Sequence, residues 1–257
     1  MPRNSTEIGQ RRHYEWEGRH YPSVTTILKA YPKEWLGAWA AKVTAETAVG
    51  KRDELDERIR RDGTEDAVRW LKRSPWARRD AAADRGSAVH DAAEHGTDIA
   101  DVPENARARY SAYLGWLALY RPRIRVREGQ VFNTALGYAG SFDLIADLYG
   151  KTYLIDIKTG TTGADVRLQL AAYRHGEFVG RDDAVDEAAT EALEEARWDG
   201  GAAVLKLTDE GFQFIETEAG SETFRVFEHV KSVYDYWNTY DKEGVGGTLI
   251  LPQTEVA

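Results

Sequence analysis

Residues 138–158 read YAGSFDLIADLYGKTYLIDIK. Two apolar runs, 138–149 and 152–158, are separated only by Gly150 and Lys151, and this spacing predicts a tight β-hairpin. Side chains alternate across a strand, so Leu154, Asp156 and Lys158 share one face while Tyr153, Ile155 and Ile157 share the other. An aspartate and a lysine set in an apolar strand are costly to bury without partners. A lone D-x-K fits a wet strand end or a local ion pair equally well. The first run carries a second carboxylate among apolar residues, Asp143, and the hairpin makes the two strands neighbours. Asp143 and Asp156 can then point into one pocket. Two close carboxylates repel unless a cation neutralises them, and a hard divalent ion with oxygen ligands is the simplest such cation. Asp147 has the same strand parity as Asp143 and is its rival, but Gly140 and Ser141 leave backbone room beside Asp143.

Working outward, residues 123–134 alternate in their first half, as a strand does, and 201–207 with 212–217 make a second hairpin around Thr208 to Gly211. Helical spacing is expected over 164–178, an acidic helix over 183–198 and an aromatic-rich helix over 221–240. On the N-terminal side, 21–29 reads as an extended piece entering a helix, with Ser23 or Thr25 as its cap. Helices are expected over 34–49, 51–72, 76–96 and 104–120, the last two ended by Gly96 and before Pro122. The order describes an α/β or α+β chain: a mixed sheet flanked by helices over 76–243, an N-terminal helical region over 1–75 and a loose tail over 244–257.

The chain has 257 residues, 42% of them hydrophobic, which is enough for a sizeable core. No apolar run approaches the roughly 18 residues of a membrane helix, and residues 1–18 lack the apolar core of a signal peptide. There is no cysteine, which removes disulfides, zinc–thiolate sites and cysteine-held iron–sulfur clusters, and fits a cytoplasmic location. There is no G-x-x-x-x-G-K-[ST] loop, so no nucleotide-driven motor is expected. The net charge of −9 argues at first against a nucleic-acid partner, but residues 182–199 alone hold eight acids against one base. Residues 105–127 hold six arginines and no acid. From Arg123 the arginines recur every second residue, through Arg125 and Arg127, on what a regular strand would make one face. Such a row suits either phosphate contact or a charged guard on an exposed strand edge.

Two helical pairs complete the pattern. His90 and Glu94 are i,i+4, as are Gln169 and Tyr173 on the helix after the D-x-K strand. Either pair alone is a weak signal. In order, however, G-x-x-x-H (Gly86 and His90), G-x-x-D (Gly140 and Asp143), D-x-K (Asp156 and Lys158) and Q-x-x-x-Y (Gln169 and Tyr173) resemble the PD-(D/E)xK nuclease superfamily. The resemblance covers about residues 21–180 and is strongest to RecB-type nuclease domains and Cas4-like exonucleases, including those of phages; the opening YPSVTTIL adds to it.

The resemblance implies a restriction-endonuclease-like core and a Mg2+ or Mn2+ site made by His90, Asp143, Asp156 and the Ile157 carbonyl, with Glu94 able to reach a second metal or a water. It implies that Lys158 orients or activates the attacking water and offsets phosphate charge, and that Gln169 and Tyr173 hold DNA or brace the site. Arg123 and Arg125 are further candidates for DNA contact. Cas4-type nucleases usually hold an iron–sulfur cluster on four cysteines, so this chain resembles a cluster-free relative. The activity implied is a metal-dependent DNA exonuclease of phage or bacterial recombination or repair, with a single-strand annealing protein or a helicase as possible partner. A structure-specific endonuclease and a non-catalytic DNA-binding module stand as alternatives. Glycoside hydrolysis by two carboxylates is disfavoured by the paired lysine.

Overall fold

A computed structural model describes residues 5–8 and 11–239. The tail expected over 244–257 lies outside them. The chain opens with three short strands, β1 (Ser5–Ile8), β2 (Arg11–Trp16) and β3 (Arg19–Pro22), in an antiparallel sheet ordered β1-β2-β3. A turn of helix, α1 (Val24–Ile27), follows, and Ser23 is its cap, with Oγ accepting from the Thr26 N–H at 3.1 Å.

Then come α2 (Trp35–Gly50), α3 (Arg52–Asp62), α4 (Thr64–His95) and α5 (Glu104–Tyr120). The helix expected over 51–72 breaks at Gly63, whose φ of 86° leaves the helical region. The one expected from 76 instead begins at Thr64 and runs through Pro75, so the expected division at 75 falls inside α4. Proline cannot donate to the carbonyl four residues back, that of Leu71. The Ser74 hydroxyl donates to that carbonyl at 2.8 Å, which meets the acceptor and lets the helix continue.

The rest alternates strand and helix: β4 (Arg123–Asn133), β5 (Tyr138–Leu148), β6 (Lys151–Lys158), α6 (Asp165–Arg174), β7 (Phe178–Arg181), β8 (Ala184–Val185), α7 (Glu187–Trp198), β9 (Gly201–Thr208), β10 (Gly211–Glu216) and α8 (Ser221–Thr239). These strands form a mixed 7-stranded sheet ordered β10-β9-β6-β5-β4-β7-β8, in which only β6 and β9 run parallel. The fold is therefore a mixed α/β one. Tyr149 and Gly150, with φ of 49° and 81°, turn β5 into β6, one residue earlier than the spacing suggested.

The sheet separates two cores. On one face Ile145, Leu154 and Val204 pack with α1, α6, α7 and α8; on the other Leu144, Ile155, Ile157 and Leu205 pack with α5 and the end of α4. Leu154 and Ile155 on opposite faces confirm the alternation read in 152–158, and each such buried side chain contributes about 1.5–3 kcal/mol. A third cluster, Tyr14, Trp16, Tyr21, Phe132 and Ala139, docks the N-terminal sheet onto β4 and β5.

The arginine row does not keep one face. Ile124 pairs with Ala146 and Val126 with Ile145, so Arg125 is the extra residue of a β-bulge. Beyond it the parity flips. Arg123 and Arg125 meet Asp147 at 3.8 and 3.5 Å, and Arg125 also meets Glu195 at 2.8 Å, whereas Arg127 bonds the Ala93 carbonyl and the Tyr113 hydroxyl on the opposite face.

Before α8 the Glu218 carboxylate accepts from the Thr223 hydroxyl, the Gly220 N–H and Arg167, and these donors pull its pKa down to about 2. Its folded pKa lies below the unfolded one, so the stability it contributes is present above the ordinary glutamate value and lost as pH falls through about 2. Glu218→Gln is expected to lower Tm by about 1–3 °C near neutral pH, with the gap to wild type closing towards about pH 2 in a pH series of melts. A gap independent of pH would contradict the assignment.

Candidate active site

The hairpin of β5 and β6 opens where its carboxylates sit. The β5–β6 ladder ends with Leu144 opposite Ile155, and β6 runs on to Lys158 paired only with β9. In the opening, Asp143 Oδ2 accepts the Ile157 N–H at 2.6 Å, taking the place of a strand carbonyl. Asp143 Oδ1 lies 3.1 Å from His90 Nδ1 on α4. Asp156, 4% exposed, meets the Lys158 ammonium at 2.8 Å through Oδ2 and accepts from Gln169 Nε2 at 3.0 Å through Oδ1. Gln169 Nε2 also donates to the Tyr173 hydroxyl at 3.1 Å, and Lys158 Nζ reaches Gln169 Oε1 at 3.4 Å. The i,i+4 pair on α6 thus braces both members of D-x-K.

Two glycines of the pattern have a steric reason. A Cβ at Gly140 would stand 2.4 Å from Tyr173 Cε1, so the Tyr173 ring reaches the site only over a glycine. A Cβ at Gly86 would stand 3.0 Å from Thr159 Oγ1, where α4 crosses the end of β6 one turn before His90.

These groups line one cleft of about 780 Å³. Glu94 lines it too, though it bonds neither His90 nor Asp143; its carboxylate stands 4.0 Å from His95. Asp147 is held away from it by Arg125 and by Thr152, whose hydroxyl donates at 2.9 Å. Arg123 and Arg125 do not line the cleft. Arg123 is 79% exposed and Arg125 is paired, an arrangement that matches a charged strand edge.

Several lining residues were not read as site residues in the sequence: Glu128 and Gln130 on β4, Ser141 on β5, Arg12 on β2 and Arg181 on β7. Glu128 has a positive φ of 50°, stands across from Asp143 between two paired positions, and accepts from the Ser141 hydroxyl at 2.7 Å. The signal available for it was strand register: it is the acid opposite Asp143 once the bulge at Arg125 is counted.

The electrostatics divide the carboxylates. Burial penalises ionised Asp143, but the His90 charge and hydrogen bond, Lys158 and the Ile157 N–H outweigh it and hold the carboxyl low. Burial and the neighbouring Asp143 push Asp156 up, against Lys158. Burial also raises Glu128, helped by Asp143 and Glu94. Burial would lower His90, yet Asp143 raises it to about 9. Lys158, half-buried, is raised by Asp156 and Asp143 against the cost of its partial desolvation. At neutral pH, therefore, a proton on His90 and the Lys158 ammonium supply the positive charge that the carboxylates require.

Among the described residues no three His, Asp or Glu side chains already stand as a metal-binding group. The donor set nevertheless suits a divalent cation. Asp156 Oδ2 is buried and has no hydrogen-bond partner beyond its ion pair with the Lys158 ammonium at 2.8 Å. The 3.1 Å between His90 Nδ1 and Asp143 Oδ1 matches the roughly 3 Å between adjacent donors on an octahedral ion at about 2.1 Å.

No family model matches the chain, and no curated protein matches it. Among solved structures, one described as the crystal structure of SSO0001 is similar over 50% of this chain and 55% of that one, at 12% identity and a TM-score of 0.28. A likeness that distant carries no argument about fold or activity. Among the described residues no helix is long and apolar enough to cross a membrane.

Proposed function

We infer that this chain is a divalent-metal-dependent deoxyribonuclease with a restriction-endonuclease-like core, acting on DNA ends in recombination or repair in a phage or bacterium. The observation that carries the reading is convergence: His90, Asp143, Asp156, Lys158, Gln169 and Tyr173, from α4, β5, β6 and α6, meet in one cleft. Four sequence fragments, each weak alone, are there joined by hydrogen bonds and charge.

His90, Asp143 and Asp156, with the Ile157 carbonyl, would hold Mg2+ or Mn2+, and Glu94 or Glu128 would take a water of its shell. Bound there, the ion would acidify a water and neutralise charge on the phosphate. Lys158 acts as a cation. Held protonated by the aspartates, it orients the attacking water by donating to it and offsets charge developing on the phosphate oxygens. Gln169 fixes the Lys158 and Asp156 rotamers, and Tyr173 fixes Gln169. A single-strand annealing protein or a helicase would deliver the DNA.

Incubation with end-labelled linear DNA and with closed circles tests the end requirement. Loss of label from linear DNA alone is expected; nicking of circles at a similar rate would favour an endonuclease. His90→Ala is expected to shift metal preference, because imidazole is the softest ligand and its loss should hurt Mn2+-supported cleavage more than Mg2+-supported cleavage, by about 10-fold in the ratio. An unchanged ratio at unchanged rates would return His90 to a packing role.

A further inference from the structure

The cleft has a second wall. Along β2 the side chains of Arg12, Tyr14 and Trp16 share one face, and Tyr14 and Trp16 are buried against Phe132. Arg12 is thereby carried inward, where its charge lies near Tyr14 and its side chain lines the cleft. Arg181 ends β7, donates to the Glu128 carbonyl at 3.3 Å and lines the same cleft. The strands that carry them are tied together at the turns that follow each: Asp183, two residues after Arg181, accepts at 2.6 Å the N–H of Glu17, just past the far end of β2 from Arg12.

Their charge is uncommitted. Lys158 is paired with Asp156 and His90 with Asp143, whereas among the described residues neither Arg12 nor Arg181 is in an ion pair. A polyanion entering a cleft lined by Asp91, Glu94, Glu128, Asp143 and Asp156 needs fixed positive charge, and a guanidinium fork matches phosphate oxygens.

We propose that Arg12 and Arg181 form a phosphate subsite that grips the nucleic acid beside the phosphate that is cut. This rests on the nuclease reading for its substrate class, but it can fail or stand separately. The phosphate is either a terminal monoester or an internal diester, and both present the same oxygens.

The test is binding of a short fluorescent DNA strand, in EDTA and again with Ca2+, over a salt series, with and without a terminal phosphate. The proteins are wild type, Arg12→Gln, Arg181→Gln, the double variant and the two lysine variants. Far-UV circular dichroism and Tm check folding. Arg181 is exposed, so its variant keeps the test open should Arg12→Gln fail to fold. The double variant is expected to bind about 10–100-fold more weakly, with the slope of log affinity against log salt flatter by about 1–2. The lysine variants should recover part of the affinity. A loss confined to the phosphorylated strand identifies a terminal phosphate; an equal loss on both identifies an internal one. Wild-type affinity and slope in the double variant, or no DNA binding by wild type, overturns the subsite. Arginine-dependent binding without cleavage in Mg2+ or Mn2+ overturns the nuclease reading and leaves the subsite standing.

Discussion

Asp156→Asn is expected to reduce DNA cleavage by about 1,000-fold or more while leaving the protein folded. The amide oxygen would keep the acceptor that Oδ1 offers Gln169 and Lys158, while the amide nitrogen gives up the ion pair that Oδ2 makes with the ammonium. It would remove the charge on which a divalent cation depends. Burial and Asp143 together oppose ionisation of Asp156, so the neutral amide relieves a cost that the folded state bears. The Lys158 ammonium loses its nearest counter-charge at the same time, so the two effects offset and Tm should change little. Cleavage rates, circular dichroism and a melt decide the matter together. Full activity would remove Asp156 from the site, and a large fall in Tm would make the loss one of folding.

Lys158→Ala is expected to separate two properties that most site mutations lose together. Turnover should fall by about 100–1,000-fold, because the ammonium proposed to stabilise the reacting phosphate is gone. Metal affinity should rise several-fold, because that ammonium stands 2.8 Å from Asp156 Oδ2 and competes for the same carboxylate. Lys158 is part-exposed, so solvent screens the competition and the gain is modest. Calorimetric titration of Mn2+ into both proteins, beside rates at saturating metal, measures the two effects. Weaker metal binding with preserved turnover would make Lys158 a support for the metal site alone.

The centre of this molecule was legible because a period of two is hard to disguise. Alternation in TYLIDIK put Asp156 and Lys158 on one face and Ile155 and Ile157 on the other, and the two cores agree. The choice of Asp143 over Asp147 followed from the room beside Gly140, which the Tyr173 ring uses. What escaped was whatever broke a period. One extra residue at Arg125 flipped the parity of β4, dispersed the arginine row and brought Glu128 opposite Asp143. The boundary expected between 72 and 76 holds Pro75, but the Ser74 hydroxyl met the freed carbonyl and the boundary fell at Gly63. The N-terminal strands are short and polar, with 4 to 6 residues each, and one face of RRHYEW becomes apolar only by docking on Phe132. Arg12 and Arg181 could not be assigned to the cleft beforehand, since long-range docking brings them there.

His90, Asp143 and Asp156 are proposed to bind a divalent cation with which this protein cuts DNA. The most direct test of this is incubation of the purified protein with 5′- and 3′-labelled single- and double-stranded DNA in Mg2+, in Mn2+ and in excess EDTA. Cleavage of at least one substrate with either metal, and none in EDTA, is the predicted result. Cleavage that persists in EDTA, or intact DNA under every condition, would contradict it.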